Sequence, residues 1–142
     1  MVFAIGSYKL NAPVKELAGL TEFSTAEYVI MGRHFEGEKN YNAPPVTFLG
    51  REWKLQLGTV HGNIYKVAPY LAFKDKREAN LVAVETRSYC TKTLGKPSEQ
   101  QTGLFIWDTT DGNVVLQTGE TAEGFAVSLF LTSRSVRSFK RR

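Results

Sequence analysis

The spacing of apolar and polar residues changes period along this chain, and each change marks an element. Over residues 1–43 it is helical in two short places. Val14, Leu17 and Ala18 fall at i, i+3 and i+4 behind Pro13 and ahead of Gly19, which predicts a turn or two of helix. Ser24-Thr25-Ala26-Glu27 has the capping-box pattern, with Phe23 and Tyr28 standing where a hydrophobic staple would put them, and predicts a second helix ending at Gly32. Residues 1–43 are therefore expected as a mostly helical and irregular lead-in.

From Pro44-Pro45 onward the period becomes two. Leu49-Gly50-Arg51 reads as a turn, after which Trp53, Leu55 and Leu57 alternate with Glu52, Lys54 and Gln56, the pattern of a strand with one wet face. His61-Gly62-Asn63 supplies a reversal, and Ile64 to Phe73 continues with aromatic and β-branched residues. Pro69 has no N–H to give a ladder, so this strand is expected at an edge or bulged there.

Residues 75–94 carry the clearest helical signal. Asp75 is placed to cap, with Glu78 at the third position. Ala79, Val82, Ala83, Thr86 and Cys90 trace one stripe that ends near Leu94, before Gly95 and Pro97. Beyond it, Leu104 to Trp107 and Val114 to Gln117 flank Asp111-Gly112, a hairpin signature. Phe125, Val127, Leu129 and Leu131 then alternate with less apolar neighbours in a further strand. The expected fold is α+β: an antiparallel sheet of about five or six strands, one long helix over 75–94 on one face, and short N-terminal helices before it.

Composition narrows the class without naming an activity. A length of 142 residues, 42% of them hydrophobic and 23% charged, fits one globular domain spanning 1–142. No apolar run approaches the ~20 residues that a membrane helix needs, so no membrane partner is expected. Met1-Val2-Phe3-Ala4-Ile5-Gly6 lacks the basic and apolar regions of a signal peptide, and the expected address is cytoplasmic. Arg134, Arg137, Lys140, Arg141 and Arg142 lie in a stretch without acids, and without them the net charge of +4 becomes −1. The basic character belongs to residues 134–142, read as a solvated tail.

Candidate chemistry is sparse. Cys90, the single cysteine, and the two histidines, His34 and His61, are the available members of a nucleophile-base pair. Cys90 sits on the core stripe of the helix, where an inert thiol is favoured, and His61 sits in a turn. Asp108, Asp111 and Asn113 lack the spacing and the distant glutamate of a calcium loop, and Gly95-Lys96-Pro97 ends a helix where a phosphate loop would begin one. Catalytic residues, cofactor and metal are accordingly expected to be none. Gly124, Phe125, Ala126 and Phe130 resemble part of the RNP1 motif of RNA-recognition domains, but Glu123, Val127 and Ser128 replace its basic, aromatic and valine positions, so ordinary strand alternation is preferred.

Leu94-Gly95-Lys96-Pro97, Phe105-Ile106-Trp107, Asp111-Gly112-Asn113-Val114-Val115-Leu116 and Val127-Ser128-Leu129-Phe130-Leu131 together, with Gly62-Asn63-Ile64-Tyr65-Lys66-Val67 before them, give residues 45–133 a further likeness. The chain resembles small uncharacterised bacterial proteins built as hairpin-helix-hairpin, of ββαββ type. That resemblance implies an architecture and assigns no reaction. The leading functional expectation is a non-enzymatic binding or interaction module, self-associating or taking a protein partner through an uncovered sheet face. Strand aromatics Trp53, Tyr65 and Trp107 are its candidate contacts. The alternatives are a nucleic-acid-binding domain that uses Arg134 and Arg137, and a small-molecule enzyme with a pocket between the sheet and the N-terminal segment.

Overall fold

A computed structural model describes residues 5–23 and 35–141. Where two residues with positive φ follow a strand, the chain reverses in the tightest hairpin available, because that backbone twist matches the twist of the flanking strands. Leu49 and Gly50 (φ 51° and 74°) join β2 (Glu38–Phe48) to β3 (Arg51–Val60), and His61 and Gly62 (φ 52° and 82°) join β3 to β4 (Asn63–Phe73). After β4 comes α1 (Lys76–Leu94), and then a second meander of β5 (Glu99–Gln101), β6 (Leu104–Thr109), β7 (Gly112–Thr121) and β8 (Gly124–Ser133). With β1 (Thr21–Phe23), the described residues form one antiparallel sheet of eight strands in the order β1-β2-β3-β4-β8-β7-β6-β5.

The expected sheet of five or six strands preceded by short helices is therefore corrected. The difference lies in the lead-in, where β1 pairs with Asn40 to Asn42 of β2 and β2 begins at Glu38, inside the stretch read as irregular, and in β5, a three-residue strand between α1 and β6. Of the first predicted helix only a 3₁₀ turn at Val14–Glu16 exists. Pro13 supplies its entry, but Asn11 and Ala12 bond to the main chain of Ile64, which holds the segment extended on either side. The capping-box helix predicted after Phe23, and His34, lie outside the described residues.

α1 follows the physics of its sequence. Asp75 caps it by accepting the Arg77 N–H at 2.8 Å, and Gly95 (φ 93°) ends it while donating its own N–H to Thr91 O. Ala79, Val82, Thr86 and Cys90 are buried, and the helix crosses β8, β7, β4 and β6. Ile5 and Tyr8 of the N-terminal segment join the same apolar cluster as Ala79, Val82, Trp53 and Trp107. The N-terminal segment thus covers the α1 face.

Pro69 does not stand at an edge. It lies in β4, between β3 and β8, and pairs with Leu55. On its other side the β4–β8 pairing passes from Val67↔Leu131 to Tyr70↔Ser128, so the strand accommodates the missing donor by skipping pairs while keeping register. Residues 134–141 are not a free tail. Arg134–Ser138 form a 3₁₀ turn, Glu36 N–H donates to Lys140 O at 2.7 Å, and Val136 and Phe139 pack on Phe35, Val60 and Tyr65.

Candidate functional site

Among the described residues, a β-bulge creates the one place on the far sheet face, away from α1, where ionisable groups are gathered and buried. Register shifts between Gly58 and Thr59: Gly58 pairs with Lys66 while Thr59 pairs with Ile64, which leaves Tyr65 without an opposite number. Ile64 stays in the α1-side cluster, whereas Tyr65 joins Phe35 and Val60. Tyr65 and Lys66, though adjacent, therefore project to the same side, over the space that Gly58 leaves empty.

Glu38, at the start of β2, is the anchor of this group and is only 6% exposed. Its Oε1 accepts the Phe35 N–H at 2.8 Å, and its Oε2 accepts the Tyr65 hydroxyl at 3.0 Å and Asn40 Nδ2 at 3.1 Å. Such donors are what a buried carboxylate requires. Burial, reinforced by the Glu38 charge and hydrogen bond, holds the Tyr65 hydroxyl well above its ordinary range, so the phenol stays protonated. Phe35 and Phe139 meet the Tyr65 ring edge-on at 5.5 and 5.6 Å and fix its plane.

Lys66 is different in kind. It is 7% exposed, its Nζ lies 5.5 Å from the centre of the Tyr65 ring, and no ion pair joins it to any acid among the described residues. Burial draws its proton affinity below that of an ordinary lysine, and the Glu38 charge opposes the shift only in part. On the same face Gln56 donates from Nε2 to Asn42 Oδ1 at 3.3 Å, while its buried Oε1 has no hydrogen-bond partner. Among the described residues the Gln56 acceptor goes without a donor, whereas Lys66 is compensated only in part, by the nearby Glu38 charge.

The residues singled out in the sequence fare unequally. Trp53 and Trp107 face α1 deep in the core, with Nε1 donating to Phe48 O at 2.9 Å and to Gly95 O at 3.0 Å, and neither offers a surface to a partner. Tyr65 is in the buried cluster. Arg134 and Arg137 are exposed on the 3₁₀ turn, and the Arg134 guanidinium donates to Thr109 O at 2.7 Å. The structure brings none of these four together with Tyr65. Cys90 is fully buried and its thiol is pushed up to about 12 by desolvation, so no thiolate is available there at neutral pH.

Glu38, Lys66 and Gln56 escaped the reading of the sequence. Period-two patterning would put Tyr65 and Lys66 on opposite faces, and only the bulge puts them together. Among the described residues no group of three or more His, Cys, Asp or Glu is placed to hold a metal ion, and no helix is long and apolar enough to cross a membrane. Comparison with known proteins adds no homology: no family model matches the chain, and neither a curated protein nor a solved structure matches it.

Proposed function

We propose that this protein is a non-enzymatic binding module whose far sheet face seats a small anion at Lys66. The observation that carries the reading is Lys66, a largely buried side chain whose ammonium lies 5.5 Å from the centre of the Tyr65 ring without an ion pair among the described residues. A largely buried lysine that is compensated only in part gains from a ligand that brings a further negative charge to it. Glu38 holds Tyr65 in place and repels a second anion, which favours a single negative group over a polyanion.

Support for this reading over self-association comes from the burial of Trp53 and Trp107, which removes the aromatic anchors that a sheet-to-sheet contact would use. Nucleic acid is disfavoured because Arg134 is engaged by Thr109 and Lys140 lies 4.0 Å from Glu36. The test is thermal unfolding of the purified protein with a panel of small anions: chloride, phosphate, acetate, glycolate and succinate. An anion with a single negative group, such as acetate or glycolate, should raise the midpoint of the wild type and leave Lys66→Met unmoved. Equal shifts in both proteins, or none in the wild type, would overturn the reading.

A further inference from the structure

A second concave feature lies on the other side of the molecule, and a different observation points to its ligand. Where α1 crosses the β6–β7 hairpin, the helix presents Ala83 and the β5–β6 turn presents Gly103, whose carbonyl accepts the Thr118 N–H at 2.9 Å. These two small residues leave a cleft of about 360 Å³ whose apolar walls are Val84, Phe105 and Leu116. Asn80 and Thr118 carry it on into a smaller recess of about 140 Å³ toward Lys76 and Phe125. Val84, 51% exposed, forms the outer rim of the cleft.

The charge at this cleft sets its chemistry. Arg87 Cζ lies 5.1 Å from the centre of the Phe105 ring, over its face, and forms no ion pair with any acid among the described residues. The guanidinium keeps its donors for a planar acceptor while the ring beneath it continues the apolar wall. An occupant complementary to both has a flat apolar body for Val84, Phe105 and Leu116 and one carboxylate for Arg87. We infer that this cleft is a binding site for aryl monocarboxylates, separate from the anion seat at Lys66 and independent of it. Its volume is within the ~300–1,000 Å³ usual for small-molecule sites.

The test is calorimetric titration of the full chain with 2-naphthoate, with 2-naphthamide as the uncharged isostere. The wild type should bind the acid about tenfold more tightly than the amide, as one charge-assisted contact to arginine implies. Arg87→Gln should abolish that preference, Ala83→Phe should fill the cleft and remove binding of both compounds, and Lys66→Met should bind the acid as the wild type does. If Ala83→Phe does not fold by circular dichroism, Val84→Glu places a negative charge at the exposed rim and should weaken the acid selectively. Absence of binding to the wild type, equal affinity for acid and amide, or loss of binding in Lys66→Met would each overturn the assignment.

Discussion

Gly58 stands opposite Lys66 across the β3–β4 ladder, and a Cβ on it would lie 2.8 Å from Tyr65 Cε1 and 3.0 Å from Lys66 Cε. The bulge turns both neighbours toward the same side, and the missing side chain is the room they occupy. Gly58→Ala should therefore destabilise by about 1–3 kcal/mol, because the Tyr65 ring is held by Phe35, Phe139 and Glu38 and cannot step aside cheaply. Urea unfolding checks it: a lowered midpoint is expected, with the slope of the transition unchanged.

Lys66→Met should do the reverse. It keeps the length of the side chain and removes a buried charge, so at pH 7 the variant is expected to be about 1 kcal/mol or more above the wild type in stability. Because the native pKa of Lys66 lies below its ordinary value of 10.5, the unfolded chain holds the extra proton as pH approaches that value. The lysine's penalty is in full force below its native pKa and is relieved as pH rises toward 10.5. The gap between variant and wild type should accordingly narrow on the alkaline side, which denaturant titrations at pH 7 to 10 would follow.

Cys90 gives an alkaline signature of opposite sign. Its thiol is raised from 9.0 to about 12, so the folded state keeps a proton that the unfolded state gives up. The associated stability is complete below pH 9 and drains away as pH climbs through about 12. Cys90→Ala should flatten the stability profile across that window by up to about 1.4 kcal/mol per pH unit, the value of one proton. A thiol reagent should leave the native wild type almost unlabelled at neutral pH and label it fully in denaturant; rapid native labelling would contradict the burial.

The two indoles, 0% and 1% exposed, should emit as buried tryptophans and resist quenching by iodide. Trp53→Phe and Trp107→Phe should each cost about 1–2 kcal/mol, since Phe48 O and Gly95 O lose their donors. Efficient quenching of the wild type would return these residues to the surface role that their place in strands had suggested.

Much of the architecture is written locally. Asp75 and Gly95 bracket α1, Leu49-Gly50 and His61-Gly62 mark their hairpins, and the spacing of Ala79, Val82, Thr86 and Cys90 names the buried stripe. β2 is not so written. Glu38, Asn40 and Asn42 look like loop residues because their face of the sheet is polar, and the strand exists through its pairing with β3, which reading along the chain cannot supply. The three-residue strands β1 and β5 are too short to show a period at all. The site is harder still to see, since Glu38, Tyr65 and Lys66 come together only through cross-strand register and one unpaired residue.

The seam between β4 and β8 has a consequence for how the protein is made. It pairs Lys66 to Phe73 with Phe125 to Thr132, so the two meanders stay separate until some fifty intervening residues have been synthesised. During translation the first meander leaves the ribosome with the β4 edge open, carrying Val67 and Leu71 beside unsatisfied amides. Slow elongation through α1 would prolong that exposure, and an interrupted nascent chain would present the same edge to other chains.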